Sequence, residues 1–228
     1  MQVVTEERCL CRQCSLVGLD RNDGEIMRKA EARRTTYHHG DLANALVEAG
    51  VALAREGGPQ AIVLREAARR VGVSATSAYR HFADHEDIIA AVKARAQRAM
   101  TDAMMAEPVP VHYDAKKQAM ARLHALGRGY LRFAQAEPGL FRAAFNQDAP
   151  SAGTSESFAL LADALDGLVA SGAIPAARRV GAETSVWATV HGLAELLIEG
   201  GPLSRLGKAK RAAKIEQTLD FVTRALVS

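Results

Sequence analysis

No apolar run in this 228-residue sequence approaches the roughly 18 residues that a membrane-crossing helix needs. Residues 1–26 carry acids where a secretory leader needs a basic start and an apolar middle, so the expected location is the cytoplasm, with no membrane partner. Cysteine is confined to Cys9, Cys11 and Cys14, which excludes a disulfide framework spanning the chain. Aromatics are only 5% of the residues and no segment alternates apolar with polar positions, which argues against a sheet. Also missing are a glycine-rich phosphate loop, a nucleophile elbow and a His-Glu metal motif. His112, His124 and His191 show no metal-ligand spacing. Neither an enzyme nor a bound cofactor or metal is expected.

What the sequence does have is alanine, leucine and charge. Hydrophobic residues are 48% and charged residues 24%, the composition of a globular chain, and the alanine content favours helices. The expected fold is all-α with about nine helices. The net charge of +3 is unevenly spread: residues 27–82 hold nine Lys or Arg against five acids, with three His besides. A basic excess concentrated in one short segment is the footprint of a nucleic-acid partner.

Residues 1–34 have no period and are expected to form a poorly ordered extension that includes a basic arm, RKAEARR, after Met27. From Gly40 the pattern is helical. Leu42, Leu46, Ala49 and Leu53 share one face, and Gly57-Gly58-Pro59 ends it. A second helix is predicted over about Leu64 to Val71, with Arg65, Arg69 and Arg70 outward and Gly72 as its stop. A third runs from the cap Ser74 to about Phe82. Asp84 caps a long fourth helix with Ile88, Val92, Ala96, Ala99 and Ala103 along one face, closed by the Pro108 to Pro110 segment. Five more helices are marked by Ala119 to Ala134, by GLFRAAF behind Pro138, by Phe158 to Leu168 after a small-residue loop over Gln147 to Ser157, by Trp187 to Ile198, and by Ile215 to Leu226. The chain thus divides into the extension, a small domain at 35–83 and a larger one at 84–228.

The second and third helices carry the mechanism. A helix-turn-helix needs a small residue where its helices touch, a glycine in the turn and a small or apolar residue on the inner face of the second helix. Ala68, Gly72 and Ala78 occupy those positions. With the second helix in a major groove, Thr76, Ser77 and Tyr79 meet bases or phosphates, Arg80 and His81 add charge, and Arg65 reaches in from the preceding helix. YHHGDL, LREAARRVGVSATSAYRHF and DHEDII together resemble the N-terminal domain of the tetracycline-repressor family of bacterial regulators, YRHF being the most specific part. TSVWATVHGLAELL is similar to the Trp-x3-His-Gly element of one regulatory domain of that family, and EPGLFRAAF to the segment preceding it.

The resemblance implies a homodimer paired through its last two helices, a double-stranded palindromic operator, and a small-molecule effector enclosed by the other C-terminal helices. It gives DNA-contact roles to Arg65, Ser77, Tyr79 and His81, with Thr76 and Arg80 tuning sequence preference. The chain departs from the family at the start of the fourth helix, where His85 stands between Asp84 and Glu86 in place of a phosphate-binding lysine. Tyr130, Phe133, Phe145, Trp187 and His191 are the candidate effector contacts; helix core is the alternative role for each. The expected function is a transcriptional repressor released by its effector. The competing reading is a helical small-molecule-binding protein without specific operator binding. For CLCRQC three readings stay open: an inert extension ahead of a start at Met27 instead of Met1, a redox pair, or a metal site completed by His38, His39 or a second subunit.

Overall fold

The expected periodicities are met by nine α-helices among the described residues of the computed structural model, 39–146 and 156–227, which contain no strand. The cysteine cluster, the basic arm and His38 lie outside the described residues. Helix α1, His39–Gly57, buries Leu42, Leu46, Val51, Leu53 and Ala54. Its stop is followed by a single 3-10 turn, Pro59–Ala61, that brings Ile62 into the core. Helix α2, Leu64–Val71, buries Leu64, Ala67 and Ala68 and keeps Arg65, Arg69 and Arg70 exposed.

The turn after α2 depends on Gly72, whose φ of 79° lies in the left-handed region that a side chain disfavours. The N–H of Gly72 donates to Arg69 O at 3.2 Å, and that of Val73 to Ala68 O at 3.0 Å. This pairing satisfies the last carbonyls of α2 while reversing the chain. Helix α3, Ala75–Tyr79, starts where Ser74 Oγ accepts from the Ser77 N–H at 3.1 Å. It ends three residues before the expected Phe82. The His81 and Phe82 N–H groups both donate to Ala78 O, and this tight last turn drops Phe82 into the core ahead of the next cap.

Helix α4, His85–Met105, opens on a reciprocal cap. Asp84 accepts from the Asp87 N–H at 2.9 Å, and the Asp87 carboxylate accepts from the Ala83 N–H at 2.8 Å. The proposed domain boundary at 83 and 84 falls on this cap. Ile88, Val92, Ala96, Met100 and Met104 form its buried row. Ala99 and Ala103, expected on that face, are only half-buried, because a row spaced by four turns gradually around a long helix whose partners change along it.

Helix α5, Ala115–Ala136, is capped by Asp114, and α6, Pro138–Ala144, has its proline in the first turn. Helix α7, Glu156–Ala170, already includes the last two residues of the expected loop. Helices α8, Ala182–Leu197, and α9, Lys208–Val227, complete the chain. Residues from Gly40 onward make one unit, in which α4 packs against α5, α6 and α7, and α5 packs against all four helices that follow it. Helix α6 meets α1 at Gly139: a Cβ there would lie 2.1 Å from Ala54 O and 3.0 Å from Arg55 O. Beside that approach Arg55 donates to Glu137 at 2.9 Å.

Candidate nucleic-acid interface and effector cavity

Ala68 and Ala78 are both buried where α2 and α3 pack, and that packing fixes which side chains of α3 face outward. Thr76, Tyr79 and Arg80 are exposed, Ser77 and His81 half-exposed, and Arg65 is exposed on α2. Tyr79 keeps 43% of its surface accessible, large for an aromatic ring that nothing forces outward. Ser77 is partly committed, because its hydroxyl lies 2.9 Å from Ser74 Oγ.

The arginines of this region divide into two classes. Arg69 donates twice to Glu66, at 2.8 and 2.7 Å, and Arg70 donates twice to Glu56, at 2.7 and 2.6 Å, besides reaching Glu66. The hydrogen bonds from Arg69 and then Arg70 hold the Glu66 carboxyl down at about 2. Arg65 and Arg80 have no ion pair among the described residues. Among the described residues, two guanidiniums without an ion pair, Arg65 and Arg80, are thus exposed on the same helix pair as Thr76 and Tyr79. His85 is exposed at the first turn of α4, next to the acids that cap it.

At the other end of the sequence pattern, four of the five candidate effector contacts come together. Tyr130 Oη lies 2.7 Å from His191 Nδ1. The Tyr130 and Trp187 rings are 5.2 Å apart, those of Phe145 and His191 4.7 Å, and those of Phe145 and Trp187 6.0 Å. Phe141, fully buried, and Phe158 extend the cluster. Phe133 is buried but has no ring contact among the described residues.

Burial pushes the Tyr130 hydroxyl up and the His191 imidazole down, so both are neutral at pH 7. The two neutral groups share one hydrogen bond whose donor is set by the imidazole tautomer, and His191 Nε2 lies 4.0 Å from Glu195. His124 is also held down, by burial first and by Arg128 second. Both imidazoles thus have folded values below the ordinary 6.5, and the unfolded chain takes up their protons first as pH falls. Their contribution to stability is complete above that value and is lost as pH drops below it. The thermal midpoint should therefore fall between about pH 6.5 and 5, and the double variant His124→Gln, His191→Gln should flatten that limb. Scanning fluorimetry across the range measures it, and an unchanged slope in the double variant would refute the assignment.

Two of the five candidate effector contacts line the cavity next to this cluster. Tyr130 and Trp187 line it, but the other walls are Met104 of α4, Leu123, Leu126 and Gly127 of α5, Leu161 of α7, Val186 and Val190 of α8, and Leu219 and Val222 of α9. His124 also lines it. The cavity is small, about 30 Å³. The α9 stripe was legible as a helix face, yet nothing local marks a helix face as a cavity wall.

Residues 46–92 match the profile of the bacterial regulatory proteins of the tetR family, and residues 123–222 that of the tetracyclin repressor-like C-terminal domain. No curated protein sequence matches significantly. Among solved structures, the chain is similar to a protein of unknown function from Rhodococcus sp. RHA1, at 23% identity and TM-score 0.62, over 85% of this chain and 100% of that one. It is similar also to a putative tetR family transcription regulator from Shewanella sp. PV-4, at 16% identity and TM-score 0.60, over 81% and 97% of the two chains. A tetR-family transcriptional regulator from Streptomyces coelicolor aligns at 20% identity and TM-score 0.56, over 82% and 87%. At these identities the structural likeness speaks for the fold.

Proposed function

Because this chain belongs to the tetracycline-repressor family, and is thereby a DNA-binding transcription regulator and not an enzyme, we propose that it is a homodimeric repressor released from a palindromic operator by a small molecule. The observation that carries this reading is that Arg65 of α2 and Thr76, Tyr79 and Arg80 at α3 are all exposed, with neither arginine in an ion pair among the described residues. Phosphate contacts set register and base contacts set sequence; the face offers groups for both. Dimerisation is supported by apolar surface on and beside the last two helices: Phe221 is 59% exposed, and Leu196 and Val227 are exposed as well.

Two recognition helices related by a two-fold axis would enter successive major grooves about 34–36 Å apart. An effector bound among the C-terminal helices acts by preferring a state with the wrong separation. The route between the two ends is contiguous: α6 and the Phe145 that caps it supply Phe141 and Phe145 to the ring cluster, and α6 touches α1 through Gly139 and is held to α4. Lys93 Nζ donates to Asn146 O at 2.8 Å and Gln97 Nε2 to Ala144 O at 3.1 Å.

Selection from a random DNA library with the purified protein should recover an inverted repeat with half-sites about one turn apart. Recovery of no sequence over random DNA would leave only the ligand-binding reading. Tyr79→Phe should weaken operator binding by about 1 kcal/mol per protomer, the net worth of one hydrogen bond, without shifting the thermal midpoint. Unchanged affinity in a titration would remove the Tyr79 hydroxyl from the interface.

A further inference from the structure

The inner cavity has a neighbour. An open surface basin bounded by His112, Lys116, Lys117, Met120 and Ala173 shares one polar wall residue with it, His124. His124 is thus a wall residue of both the basin and the cavity. It is latched across the seam between α5 and α9, with Nε2 2.6 Å from Thr223 Oγ1. Thr223 Oγ1 in turn donates to Leu219 O at 3.0 Å, which uses its single proton. The imidazole is then the donor to Thr223, and the latch needs a proton on Nε2.

The basin and the cavity differ in chemistry. The basin carries Lys116, Lys117 and Arg128. No charged side chain lines the cavity. An ion moved from basin to cavity would lose its hydration and meet no counter-charge, whereas an uncharged apolar body would only exchange water for hydrocarbon. The cavity of about 30 Å³ has room for little more than one water, so an occupant must part α5 from α9. Those helices pack tightly at Gly127, where a Cβ would lie 2.5 Å from Leu219 Cδ2.

On the reading of the chain as an effector-released repressor, we propose that the effector is an uncharged, mainly apolar molecule, and that His124 latched to Thr223 is the door through which it passes from the basin. Entry requires the latch to break. Occupancy holds α9 away from α5, and so gives the ligand a different affinity for the two arrangements of the bundle.

The test uses the full chain and N-phenyl-1-naphthylamine, an uncharged apolar fluorophore, in stopped-flow binding. Thr223→Val releases the ring without removing it, and His124→Ala removes it. Each is expected to raise the association rate about tenfold, and Thr223→Val to leave the dissociation rate nearly unchanged, because the latch is already broken both while the ligand passes and while it holds α9 away from α5. The sulfonated analogue 8-anilinonaphthalene-1-sulfonate should bind at least about tenfold more weakly. Leu126→Trp, which fills the cavity, should abolish the uncharged probe's signal. Unchanged association rates in both latch variants, equal binding of the two probes, or a signal that survives Leu126→Trp would each overturn the proposal. Operator affinity of the probe-free wild type tests the repressor reading alone, so the failure of one is not mistaken for the failure of the other.

Discussion

Gly139→Ala is expected to destabilise the protein by about 3 kcal/mol or more and to lower its thermal midpoint by about 6–12 °C. The added methyl would lie 2.1 Å from Ala54 O and 3.0 Å from Arg55 O. Both are main-chain atoms near the end of a helix, and Ala54 O already accepts from the Gly58 N–H at 2.8 Å, so neither side yields by rotating a side chain. Helix α6 must back away from α1, carrying buried Leu140 and Phe141 with it. A second effect should follow from the position of the residue. Helix α6 bears part of the ring cluster and α1 belongs to the helix-turn-helix unit, so the variant should show weakened coupling between effector and operator at temperatures where it remains folded. A midpoint within about 2 °C of wild type would show that the two helices have room to spare.

Operator affinity is expected to fall about a thousandfold between 50 and 200 mM salt, the loss that accompanies release of counterions from about six neutralised phosphates. A dimer doubles whatever one protomer presents, and one protomer presents Arg65, Arg80, His81 and the hydroxyls of Thr76 and Tyr79. Arg65→Ala or Arg80→Ala should each reduce the slope of log K against log salt by about 2 where the guanidinium meets phosphate, and broaden base preference where it meets a base. Arg70→Ala is the built-in control, because Glu56 and Glu66 already neutralise that side chain. Anisotropy titrations at several salt concentrations measure all three. A slope reduced equally by Arg70→Ala would mean that the acids let go on DNA and that the two classes of arginine are not distinct.

Local chemistry was legible in the sequence, and contacts at a distance were not. The bounds of α2, the caps Ser74 and Asp84 and the first-turn proline Pro138 follow from the residues themselves, because a cap or a proline acts within one turn. The pairing of Tyr130 with His191 joins positions 61 residues apart, and no spacing rule connects them. The cavity is further still from sequence, since five helices each lend it residues that look like ordinary core. His124 shows no metal-ligand spacing in the sequence, and its partner Thr223 lies 99 residues on. Lys93 is a similar case: beside the apolar row of α4 it would pass for a surface lysine, yet it is buried and donates to the last carbonyl past α6. The short α3 shows the opposite error, in which a pattern continued past the point where the chain turned inward.

That short helix has an evolutionary consequence. Five residues do not hold a helix in water by their own hydrogen bonds, so α3 exists because Ser74 caps it and Ala78 is buried beneath it. The positions that keep it folded and the positions that face outward are therefore different ones. Thr76, Tyr79 and Arg80 are free to drift without loss of the scaffold, and under the proposed function a lineage carrying this turn exchanges one operator for another by a few substitutions.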